Sequence, residues 1–178
     1  METKTRHTIQ TLAKVGKVLS KIVSICCIVG AVGCIVGILS LAFGEFEARK
    51  IGGITIHSII ERSASIGTMY AEMTVGLIFC IGEAVIAKLA ATYFQNEIAA
   101  GTPFTLSGAK ELLRLGICTI CISVGAWIGA EIAYTIITNC FSKVADMQLD
   151  GFSQVGTGIA MLLASLLCKY GAEKNAAQ

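Results

Sequence analysis

Residues 22–43 read IVSICCIVGAVGCIVGILSLAF, a run without a single charge. At 1.5 Å per residue it covers about 33 Å, enough to cross a hydrocarbon core of about 30 Å as one helix. Lysines precede it, and Ser40-Leu41-Ala42 has the small-x-small form of a signal-peptide cleavage site. An h-region spans only about 7–15 residues, however, so the run reads as a retained anchor. Three more apolar runs follow. Residues 66–91 are interrupted by Glu72, Glu83 and Lys88, residues 115–140 carry one charge, Glu131, and residues 152–168 carry none. No segment alternates strictly as a barrel strand would. The sequence therefore predicts an all-α fold, a single integral membrane bundle of four transmembrane helices over residues 1–178.

Composition agrees. Of 178 residues, 54% are apolar and 15% charged, with mean hydropathy +0.74, against about 25% charged in an average soluble domain. Four spans of about 20 residues leave about 100 for tails and loops, too few for a separate catalytic domain of ordinary size. The net charge of +2 is too mild for a face that binds nucleic acid directly. The eight cysteines lie in or near the apolar runs, where a thiol packs as a small hydrophobe. Cys118-Thr119-Ile120-Cys121 has redox spacing, but an oxidoreductase pair would face an oxidising compartment, and this pair falls near the cytoplasmic end of its span. His7 and His57 fall on opposite sides of the predicted topology, so no metal site and no cofactor are expected.

Lys and Arg set the orientation. Lys4, Arg6, Lys14, Lys17, Lys21, Lys88, Lys110, Arg114, Lys169 and Lys174 gather on the two tails and the 92–114 loop. Only Arg49, Lys50, Arg62 and Lys143 fall on the other side. Both termini are thus expected in the cytoplasm of a bacterial plasma membrane, with the bilayer as first partner. Ile9, Leu12, Val15 and Leu19 share a helical face opposite Lys14, Lys17 and Lys21, which suits either a short interfacial helix on anionic lipid or a solvated basic tail. In the outer loop, 44–65, the stretch Ile51-Gly52-Gly53-Ile54-Thr55-Ile56 reads as a short hairpin or extended segment.

Carboxylates inside a bilayer are costly and are functional candidates. Glu72 and Glu83 are 11 residues apart, on nearly the same face and about 16 Å along the axis. Glu131, with no cation near its depth, is expected to be neutral and bonded to hydroxyls, or to face water. Either reading, structural glue between helices or a proton, cation or ligand site, fits all three. Gly33 and Gly37, and Gly125 and Gly129, have G-x-x-x-G spacing, which serves close helix packing within the bundle or a seam between copies in a homo-oligomer.

The cytoplasmic stretch from Asn96 through Gly101-Thr102-Pro103-Phe104-Thr105 to Leu113-Arg114-Leu115-Gly116 contains the only proline. Pro103 breaks the chain between helices, and Thr105 or Ser107 can cap the next one. A Gly-x-Pro-Phe-Thr turn followed by Leu-Arg-x-Gly resembles an uncharacterised bacterial family of small four-span membrane proteins. That family is a domain of unknown function, often encoded beside a Cro-type helix-turn-helix regulator. The likeness is strongest over residues 96–116 and departs at Ser107-Gly108, where the family more often has an acidic residue or Asn. The resemblance carries over no catalytic residue. That the most specific motif is cytoplasmic points either to a cytoplasmic protein partner, with Pro103, Phe104, Thr105 and Arg114 as the contact residues, or to a turn that only shapes the loop and docks on the bundle. Two functions follow as expectations: a non-enzymatic sensor, scaffold or regulatory partner acting through the cytoplasmic loop, or a small proton- or cation-coupled transporter using Glu72, Glu83 and Glu131.

Overall fold

The computed structural model describes residues 2–43, 65–101, 105–147 and 153–176. They form four helices: α1 (Glu2–Ala42), α2 (Ile66–Ala100), α3 (Leu106–Cys140) and α4 (Ser153–Ala176). Each is long and apolar enough to cross a membrane, and no strand occurs among the described residues. The expected 51–56 hairpin lies outside those residues, as do Pro103 and Phe104.

Local chemistry sets the ends. Ser65 caps α2 by accepting from the Thr68 amide at 3.2 Å. Gly101 stops α2 at φ 71°, a left-handed conformation that strains any side chain, and its N–H closes on the Glu97 carbonyl at 3.0 Å. Thr105 caps α3, its Oγ1 accepting from the Gly108 amide at 3.0 Å, while Ser107 donates to that same hydroxyl oxygen at 3.3 Å.

The helices pack in chain order, each antiparallel to the one before. Small residues fix the registers. A Cβ at Gly16 would stand 2.7 Å from Phe94 Cζ, one at Gly30 3.1 Å from Cys80 Sγ, and one at Gly37 3.0 Å from Met73 Sδ. α1 and α4 do not pack on each other. The start of α1, the junction of α2 with α3 and the end of α4 therefore share one end of the bundle, here the tail end. α1 runs unbroken from Glu2 to Ala42. Ahead of the uncharged run α1 still packs on α2, with Gly16 against the Phe94 ring.

α4 departs most from an even four-span bundle. Ser123 meets Gln154, Gly116 meets Gly158, and Ser165 donates to the Ala109 carbonyl at 3.1 Å. α4 thus starts beside the midpoint of α3 and runs toward the tail end. Its apolar run lies beside residues 108–123 of α3, whereas the apolar runs of α1 and α2 lie level with residues 119–140. The cause is a backbone-on-backbone crossing: a Cβ at Gly116 would lie 3.1 Å from the Gly158 carbonyl oxygen, and one at Gly158 3.1 Å from the Gly116 carbonyl oxygen. The distal half of the bundle consequently has three helices. There Tyr70 stacks on Phe141 at 5.5 Å, and Ala145 bonds to Thr68 Oγ1 at 2.9 Å and to the Tyr134 hydroxyl at 3.0 Å.

Candidate functional site

Where α4 begins, all four helices border one cleft of about 300 Å³. Leu19, Ser20 and Val23 come from α1, Glu83, Ile86 and Ala87 from α2, Thr119 from α3, and Gln154, Thr157 and Met161 from α4. Because α1 and α4 do not touch, the gap between them is the cleft's open side. Among the described residues, Glu83 is the one ionisable group in the lining.

A polar relay holds that carboxylate. The Gln154 amide donates to Glu83 Oε1. Ser123 Oγ lies 2.9 Å from Gln154 Oε1 and 2.7 Å from the Thr119 carbonyl, so its single proton is shared between two acceptors. Thr119 Oγ1 donates to the Leu115 carbonyl at 2.9 Å, which leaves its lone pairs toward the cleft wall. In a low-dielectric interior each bond strengthens its neighbour, and an unpaired member would be expensive. Glu83 keeps its second oxygen for a proton, a small cation or a donor from a ligand.

The three acidic candidates do not converge. Glu72 shares its face with Glu83 but is exposed, because α4 starts too low to cover it. Glu131 is half-buried, and its carboxylate has no hydrogen-bond partner among the described residues. Thr135 donates to the Glu131 main-chain carbonyl at 2.8 Å, as a threonine one helical turn later often does. The glycine pairs split as well. Gly37 packs on Met73, Gly129 has only Ile78 at 3.9 Å, and Gly33 and Gly125 face open space. Thr105 acts as a helix cap, and Arg114 is exposed without an ion-pair partner among the described residues. The eight cysteines are free, and no cluster of three metal-ligating side chains occurs among the described residues.

Two features escaped sequence reasoning. Gln154 and Ser123 build the relay; the signal for them was a lone amide at the start of an uncharged run and a Thr119/Ser123 pair one turn apart. Near the tail end, Glu97 is only 8% exposed; the Tyr93 hydroxyl donates to its carboxylate, and Oε1 has no partner. Beside it, Asn96 donates to both oxygens of Glu111 at 3.0 and 3.1 Å, tying the end of α2 to the start of α3.

No family model, curated protein or solved structure matches this chain.

Proposed function

We propose that this chain is a small multi-pass membrane protein that takes up a proton or small cation at Glu83 and passes it through the cleft between α1 and α4. The carrying observation is a carboxylate at the junction of four helices, hydrogen-bonded on one side and facing a cavity on the other. Intramembrane carboxylates in such settings serve proton relays and ion pathways. The tail end is assigned to the cytoplasm of a bacterial plasma membrane, supported by the ten Lys and Arg residues gathered there. The reading assigns no catalysis. Its test is flux in proteoliposomes loaded with a pH-sensitive dye. Glu83→Gln should abolish uptake while Glu72→Gln leaves it intact; equal flux in wild type and Glu83→Gln would end the proposal.

A second reading is a regulatory scaffold that engages a cytoplasmic protein at the tail end. It is favoured by Arg114 near the tail end of α3, exposed and without an ion-pair partner among the described residues. Cross-linking in native membranes tests it: loss of every adduct in Arg114→Glu supports the scaffold, and unchanged adducts oppose it.

A further inference from the structure

A separate cavity of about 300 Å³ lies in the groove between α1 and α2, lined by Lys21, Ser24, Lys88, Thr92 and Gln95 among others. Both lysines are exposed, and no ion pair engages either among the described residues. Two ammonium groups sharing one recess repel each other unless an anion sits between them. Further donors are at hand in the Ser24 hydroxyl and the Gln95 amide. Thr92 has committed its proton to the Lys88 carbonyl at 3.0 Å.

The level of this recess identifies its environment. Lys21 immediately precedes the uncharged run of α1, and Lys88 closes the apolar part of α2. The antiparallel register brings these two edges together, so both cations lie at the tail-end limit of the apolar runs of α1 and α2. Ile25 of α1 also lines the recess, and Ile25, Ile28, Ile81 and Val85 of the two helices are all exposed as an apolar track beside it. A charged recess that opens onto an apolar track has the shape of a phospholipid: phosphate in the recess, acyl chain along the track.

We infer that the α1–α2 groove is a binding site for an anionic phospholipid of the tail-end leaflet, its phosphate held between Lys21 and Lys88. The chemistry recognised is a phosphate oxygen cluster, which free phosphate also offers; the exposed Ile25–Val85 track selects the lipid. The site is distinct from the Glu83 cleft and stands whether or not ions move there.

Thermal unfolding of the full chain in neutral detergent, titrated with phosphatidylglycerol, phosphatidylcholine or inorganic phosphate, tests this. Phosphatidylglycerol should raise the melting temperature, and the other two should not. At about 1 kcal/mol per lysine, the Lys21→Gln/Lys88→Gln double variant should bind phosphatidylglycerol about 30-fold more weakly. Lys21→Arg/Lys88→Arg should bind as wild type. Lys169→Gln/Lys174→Gln removes the same charge from α4 and should leave affinity unchanged. Equal loss in the two glutamine doubles would reduce the effect to net charge and overturn the site. Stabilisation by inorganic phosphate equal to that by the lipid, or by phosphatidylcholine equal to that by phosphatidylglycerol, would overturn it too. Gel filtration of each variant before titration separates loss of binding from loss of fold.

Discussion

The two halves of the bundle are built differently. The distal half is three apolar helices, with Gly33 and Gly125 facing open space and Glu72 uncovered. The tail half adds α4, and with it come the glycine crossing, the Glu83 relay, the cleft, the Asn96–Glu111 tie and the buried Glu97. One residue type thus meets opposite fates. Glu72 and Glu83 share a helix face, yet only Glu83 gains a partner, because Gln154 reaches its level and nothing in α4 reaches Glu72. Polar chemistry here is created by where one helix docks.

Substitutions that treat the halves alike should therefore give unequal results. The largest effect is expected from Gly158→Leu. Even its Cβ would stand 2.5 Å from Ile120 Cγ1 and 3.1 Å from the Gly116 carbonyl, so α4 must separate from α3 at a cost of about 3 kcal/mol or more. Gly125→Leu in the open distal half should change stability by less than about 0.5 kcal/mol. Thermal unfolding in detergent compares the two, and equal losses would break the contrast.

Gln154→Leu should come next. It strands Glu83 and removes one of the two acceptors of Ser123, at a cost of about 1–2 kcal/mol. Glu72→Leu should be neutral or slightly stabilising, since no bond is lost and an exposed carboxylate leaves the apolar belt. Denaturant titration of both variants reads this difference; a larger loss for Glu72→Leu would reverse the assignment of the two halves.

Asn96→Ala should have a smaller effect. Its two bonds to Glu111 are exposed, so the loss is about 0.5–1 kcal/mol and should shrink in high salt. Hydrogen exchange at the ends of α2 and α3 locates the fraying. Glu131→Leu should do least. Sequence reasoning left it either bonded to hydroxyls or facing water, and the hydroxyl one turn on, Thr135, serves the backbone. Stability of the Glu, Gln and Leu forms should agree within about 0.5 kcal/mol.

Much of the fold was legible because it is local. Apolar runs long enough for a bilayer give the four helices, and Thr105 before a helix gives its cap. The placement of α4 was not legible. It depends on Gly116 meeting Gly158, and neither has G-x-x-x-G spacing with a second glycine in its own helix to advertise it. The two advertised motifs each use one member or none. The candidate site was half legible: Glu83 stands out as a charge in an apolar run, but its partners lie 40 and 71 positions further along the chain and become neighbours only through the α3–α4 register. Glu97 was not singled out because the apolar run ends at Ala91, whereas the helix that carries it continues to Ala100.

The position of α4 against the midpoint of α3 carries both the cleft and the contrast between the halves, and cysteine cross-linking tests it directly. In a background free of native cysteines, Ser123→Cys with Gln154→Cys is expected to form a disulfide under mild oxidation in membranes, while Thr138→Cys with Gln154→Cys stays reduced. Cross-linking of the 138/154 pair, with 123/154 unreactive, would place α4 alongside the distal half and contradict the assignment of Glu83 to a four-helix cleft.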